Sequence, residues 1–379
     1  MPENITDRHV ISNASARWYS ITVLMTFLLL LSVIPCAMLS LADHGPTSHT
    51  NVSALNIYFF GKQKQKIANQ TQGRHLVLLG GSSAFYSVRA RMLQAQFGIP
   101  VINNALHAGI GSDYLLYRAR QSLRPGDTAI LFMEYDIYAR SEPSWTLADY
   151  LLPYDLAYFA AQPLTTQIGL IGKLTPSEYW NRVYDVFFGK PIDGKGALSY
   201  MNGYGDVKNN LLELRNGSQK AKLDTLLPRK NLVLPLKNAD PIADFIRWCQ
   251  KNGITVIAGY PAFLDFPEYH SGTGQAFFQS LGKYYHELGV PTLGEPSDFM
   301  FPKSMFFDTE YHLHDGGAAV MTDLVAQRLE PLLGMPRRKT PDTQIDRPLR
   351  LKLSEEKVPR RGQFERIFRS GIMGPLDHC

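Results

Sequence analysis

The sequence predicts a three-layer α/β/α domain carried behind an N-terminal membrane-spanning helix. Short continuous apolar runs alternate with longer amphipathic stretches, the pattern of a buried parallel sheet covered by helices. The first such run ends in a small flexible turn, Gly80-Gly81-Ser82-Ser83, just where an amphipathic stretch begins. Ahead of all this, Trp18 to Ala42 contains no charged side chain.

That uncharged segment spans roughly 37 Å as a helix, enough for a hydrocarbon core of about 30 Å. Its length exceeds the roughly 7 to 15 apolar residues of a cleaved signal peptide. Arg8 and Arg17 precede it, while Asp43 and His44 follow. The positive-inside tendency then leaves residues 1–17 in the cytoplasm and everything after 42 outside. Residues 43–74 are polar with no long apolar face, so they read as a linker.

Strands are expected at His75–Gly80, Pro100–Asn103, Thr128–Tyr135, Thr255–Gly259 and Val290–Leu293, with helices at Ala84–Phe97, Ser112–Ser122, Pro241–Lys251, Gly274–Leu288 and Gly316–Leu333. Arg124-Pro125-Gly126-Asp127 makes the turn into the third strand. Residues 137 to 235, rich in aromatic residues, proline and glycine, break the rhythm and read as an insertion over the strand ends, where substrate sites commonly form. The domain thus runs over 75–334, and a basic disordered tail fills 335–379.

The net charge of +5 resides in that tail, which holds 11 Lys or Arg and 6 Asp or Glu, leaving 28 of each sign elsewhere. No module for nucleic acid is present. Gly109-Ile110-Gly111 lacks the third glycine of a dinucleotide fingerprint, so no nucleotide cofactor is expected. Cys36 lies within the apolar span, and the two other cysteines, Cys249 and Cys379, form no disulfide framework.

The chemistry lies in two segments more than 220 residues apart. The Gly-Gly-Ser-Ser turn presents a hydroxyl, and Asp308-Thr309-Glu310-Tyr311-His312 supplies a base and an acid for it. A serine becomes nucleophilic when a histidine takes its proton and a carboxylate orients that histidine. Read as ligands instead, His312, His314, Asp308 and Glu310 offer His-x-His with no third histidine in reach, a thin donor set for a metal.

With these residues in place, the chain resembles the SGNH or GDSL-type serine hydrolases, and more narrowly their membrane-anchored envelope members that work on acyl groups of cell-surface polymers, such as those encoded with acetobacterial cellulose synthesis. The resemblance implies a flavodoxin-like sheet and assigns Ser83 as nucleophile, in a Gly-Asp-Ser turn whose aspartate is replaced by Ser82. A register one residue earlier makes Ser82 the nucleophile. His312 is then the general base and Asp308 its carboxylate, with Glu310 as the alternative. Asn104-Ala105-Leu106-His107-Ala108-Gly109 matches the second block, so the Ser83 and Gly109 amides would form the oxyanion hole. The third block, Gly-x-Asn-Asp, is replaced by Met133-Glu134-Tyr135-Asp136, which leaves the Tyr135 hydroxyl as a substitute donor.

The resemblance further implies an acetyltransferase or acetylesterase on an exopolysaccharide such as cellulose, facing the periplasm from the inner membrane. It needs no metal and no cofactor, and its partners would be the polysaccharide and a membrane acyl donor or synthase complex. A non-catalytic accessory protein of a synthase is the other reading, supported by the missing asparagine block.

Overall fold

The structure, a computed structural model, describes residues 15–29 and 45–338 except 49, 140–142, 209, 233, 235, 237 and 238. The chain divides into two compact units, one formed by Met1–Thr50 with Leu151–Ile192, the other by Asn51–Tyr150 with Asp193–Cys379.

The larger unit is an α/β domain. Its elements run α1 (Val52–Gln70), β1 (Leu76–Gly80), α2 (Ser82–Ser87), α3 (Ala90–Phe97), β2 (Val101–Asn103), α4 (Gly111–Arg120), β3 (Thr128–Phe132), α5 (Tyr135–Ala139), α6 (Asp240–Lys251), β4 (Thr255–Ala258), β5 (Phe263–Leu264), α7 (Gly272–Glu287), β6 (Met300–Phe301) and α8 (Asp315–Leu333). The sheet is parallel in the order β2-β1-β3-β4, with Leu76 opposite both Val101 and Thr128, and Thr128 opposite Thr255. β1 and β3 are buried along their whole length, which is why their sequences are unbroken apolar runs.

Right-handed crossovers dictate the layers. The β1-to-β2 connection steps one way along the sheet, and those into β3 and β4 step the other way. This puts α2 and α3 on one face and α4 and α6 on the opposite one. Accordingly, α8 packs on α2 and α3, while α6 packs on α4. The carboxyl ends of β1 and β3 therefore open toward the turns that carry Ser82 and Glu134.

Four expectations need correction. The predicted linker 43–74 contains α1, a 19-residue helix that buries Ala54, Ile57, Phe60, Gly61, Lys64 and Ala68. Its buried stripe holds only two large apolar residues and a lysine, so the pattern is diluted. Lys64 is 1% exposed and donates to the carbonyls of Asn103 at 3.0 Å, Ala105 at 2.5 Å and Gly205 at 2.9 Å, with Phe85 beneath it. The single helix expected at Ala84–Phe97 breaks at Val88-Arg89. There the amides of Arg89 and Ala90 are satisfied by Thr322 and Asp206, so the break leaves no orphaned donor. The fifth strand at Val290–Leu293 shrinks to a bridge between Thr292 and Ala258. Pro291 lacks an N–H to extend the ladder, and Gly294, at φ 119°, turns the chain away. Lastly, the insertion is split. Residues 151–192 belong to the smaller unit, whereas Asp206, Asn210 and Arg229 bond within the larger one.

In the smaller unit, helices cover Leu156–Ala160, Leu164–Ile171 and Pro176–Phe188. A bridge joins Thr47 to Pro191. Residues 15–29 are helical and exposed. Among the described residues no helix is long and apolar enough to cross a membrane. The second half of the expected span, and the tail from 339 on, lie outside the described residues.

Candidate active site

The turn after β1 is built for tight backbone approach. Gly80 has φ 154°, and a Cβ there would strike the Phe132 carbonyl. Gly81 precedes α2, and a Cβ on it would lie 2.5 Å from Glu134 Oε1 and 2.6 Å from the Ala108 amide nitrogen. The two serines that follow part company. Ser83 is fully buried, and its hydroxyl donates to the Ala262 carbonyl at 3.5 Å. Ser82 lines a cleft whose wall also includes His312, His107, Tyr86 and, from α1, Asn56, Ile57 and Phe60. Helical spacing sets Tyr86 one turn beyond Ser82 on the same face.

His312 is held against this helix by its neighbours. The Ser87 hydroxyl, at the end of α2, donates to the Tyr311 carbonyl at 3.2 Å and accepts from the Leu313 amide at 3.3 Å. One hydroxyl thus grips both flanks of the histidine. The loop closes on itself through a Phe306–Leu313 bridge and the Phe307 amide donating to the His312 carbonyl at 2.7 Å. Within it His312 Nδ1 lies 2.8 Å from Asp308 Oδ1, and the ring stacks on Tyr86 at 4.1 Å with 10° between planes. Asp308 as acceptor fixes the proton on Nδ1 and leaves Nε2 with the lone pair that a general base needs.

Glu310, the alternative carboxylate, faces elsewhere. Arg229 Nε donates to it at 2.7 Å, and the same guanidinium lies 3.5 Å from Asp136. His314 caps α8 by accepting from the Gly317 amide.

The expected oxyanion donors are committed to other acceptors. The Ser83 amide donates to Glu134 Oε1 at 2.7 Å and the Gly81 amide to Glu134 Oε2 at 2.9 Å. The Gly109 amide donates to His107 Nδ1 at 3.0 Å. Tyr135 is no substitute. It is fully buried edge-on to Phe263 and Phe278, and its hydroxyl has no partner among the described residues. Asn104 points away, its amide reaching Ser122 at 3.2 Å, while Asn103 ties β2 to the carbonyls of Ala84 and Val88.

Glu134 is the residue that sequence reasoning missed. It is 1% exposed, and burial drives its carboxyl up to about 7 against the pull of the Ser83 and Gly81 amides and of His312. Its carboxylate fills the space that a side chain on residue 81 would need. With Ser82 as the serine of the turn, Gly81 occupies the aspartate position, and the acidic group comes from after β3 instead. The signal was present in the sequence as a glycine at the acid's position in the earlier serine register and a glutamate at the free second position of the third block. Tyr86, Arg229 and the α1 residues were also missed, α1 because its polar sequence reads as a linker.

No protein-family model matches the chain, and no curated protein does. Among solved structures it is similar to a protein assigned as lipolytic, of the G-D-S-L family, from Desulfitobacterium hafniense DCB-2. The identity is 11% and the TM-score 0.34, over 68% of this chain and 99% of that one. It is also similar to a protein assigned as a platelet activating factor from Streptococcus pneumonia, at 11% identity and TM-score 0.35 over 73% and 92% of the two chains. A third is the Bacillus subtilis protein YxiM, at 12% identity and TM-score 0.32 over 69% and 57%. Likeness at this level does not reach the chemistry, which rests on the side chains described above.

Proposed function

We propose that the chain is a serine hydrolase of the SGNH or GDSL kind acting at an acyl ester, with Ser82 as nucleophile, His312 as general base and Asp308 orienting it. The carrying observation is that Ser82 and His312 share one cleft wall while His312 Nδ1 is tied to Asp308. Ser82 Oγ attacks the ester carbonyl as His312 Nε2 takes its proton. The alcohol then leaves with that proton, and water or a sugar hydroxyl resolves the acyl-enzyme. The Ser82 amide, at the first position of α2, is the donor left for the oxyanion.

The same reading takes Trp18–Ala42 as an inner-membrane anchor, places the larger unit in the periplasm, and gives it an acylated exopolysaccharide such as cellulose as substrate. The anchor is supported by the 25-residue stretch without charge, and the polymer by the resemblance of the sequence blocks. The test is acetate release from acetylated cellulose oligomers and from p-nitrophenyl acetate by wild type, Ser82→Ala and Ser83→Ala. Release that depends on Ser82 and survives loss of Ser83 supports the assignment, and release indifferent to both overturns it. A non-catalytic accessory role is the second reading. One observation favours it: Glu134 and His107 occupy three amides around the nucleophile turn.

A further inference from the structure

The helix Pro176–Phe188 is inside out. Two of its three charged residues, Arg182 and Asp185, are buried at 7% and 3% exposure, whereas Trp180, Tyr184, Phe187 and Phe188 are exposed at 62%, 53%, 70% and 64%. Those four recur at i, i+4, i+7 and i+8 and so share one face. The preceding helix, Leu164–Ile171, does likewise with Leu164, Ile168 and Ile171. A surface helix in water has the opposite arrangement, and contiguous exposed apolar patches mark sites of interaction.

We propose that these two helices rest on the lipid surface of the membrane in which the chain is anchored, with Trp180 and Tyr184 at headgroup level. The proposal depends on the anchor reading given above. What selects lipid over a protein partner is the tether between patch and anchor. Residues just beyond the apolar segment are bonded to the end of the exposed helix. The Ser48 amide donates to the Lys190 carbonyl at 2.8 Å, the Ile192 amide to the Pro46 carbonyl at 3.1 Å, and the Thr47 hydroxyl to Asp185. Only Asp43, His44 and Gly45 separate Ala42 from Pro46, a reach of at most about 14 Å over four steps. The aromatic face therefore cannot be held far from the bilayer. Its mixture of Trp, Tyr and Phe suits the boundary between headgroups and acyl chains.

The experiment places the full chain in phosphatidylcholine and phosphatidylglycerol vesicles whose acyl chains are brominated near the headgroup. Single-tryptophan chains are made by Trp→Phe changes at the other three positions. Loss of Trp180 emission comparable with that of Trp18, and no loss for Trp248, is expected. Phe187→Ser with Phe188→Ser, both exposed positions, should reduce the Trp180 loss. If Trp18 is quenched and Trp180 is not, the anchor stands and the surface proposal falls. If neither is quenched, both fall. If Trp180 is shielded from aqueous acrylamide yet unquenched by brominated lipid, a protein covers the face and the proposal is wrong.

Discussion

Two adjacent serines are separated by what they face, Ser82 the cleft and Ser83 the Ala262 carbonyl. Ser82→Ala should lower ester turnover by about 10⁴-fold or more, the scale of losing a nucleophile. Ser83→Ala should leave turnover largely intact and lose about 1 kcal/mol with its hydrogen bond. Asp308→Asn should cost about 10⁴-fold by presenting the wrong donor to His312, while Glu310→Gln should chiefly loosen Arg229. Urea midpoints beside initial rates separate these outcomes. Glu134 adds a pH dependence. Its folded value of about 7 lies above the ordinary 4.5, so between those values the folded state alone keeps the proton. Stability should then fall as pH rises through that window, by roughly 3 kcal/mol, and level off above it. Unfolding at pH 5 and pH 7.5 should show this difference in wild type and not in Glu134→Gln. The histidine and its aspartate were legible in the sequence because one short loop carries both. The serine register was not, since Gly-Gly-Ser-Ser fits two alignments and only the backbone at Gly80 and Gly81 distinguishes them.

At the scale of elements, β1, β3, β4, α6 and α8 were legible because each carries a clean apolar period or run. α1 was hidden by its own chemistry. A lysine at the centre of its buried stripe is stabilised by three carbonyls that lie far away in sequence, and no local pattern announces them. Burial pulls the Lys64 ammonium down to about 7, against Asp206. Here the unfolded state holds the extra proton from about 7 to 10.5, so this group's contribution to stability rises with pH across that range. α1 also walls the cleft. Phe60, 8% exposed and 5.3 Å from the Phe85 ring centroid, anchors that wall. Phe60→Ala should cost about 3–5 kcal/mol and raise KM more than it lowers kcat, a split that steady-state kinetics would read. A tether would show neither effect.

For the whole molecule, two units divide the work. The larger one brings a strand-end turn and a loop 220 residues later to a single cleft, with Ser87 as the clasp between them. The smaller one gathers the chain leaving the apolar segment with the two outward-facing helices. A parallel sheet covered by helices could be anticipated from the alternation of runs, whereas its strand order could not. The division inside the insertion could not, because Asp206, Asn210 and Arg229 look like ordinary loop residues until their distant partners are known. All of this chemistry turns on an activated serine at position 82. Its most direct test is to label the full chain with a fluorophosphonate and map the adduct by mass spectrometry in wild type and His312→Ala. An adduct on Ser82 that vanishes without His312 is expected. An adduct on Ser83, or none in a folded chain, would contradict it.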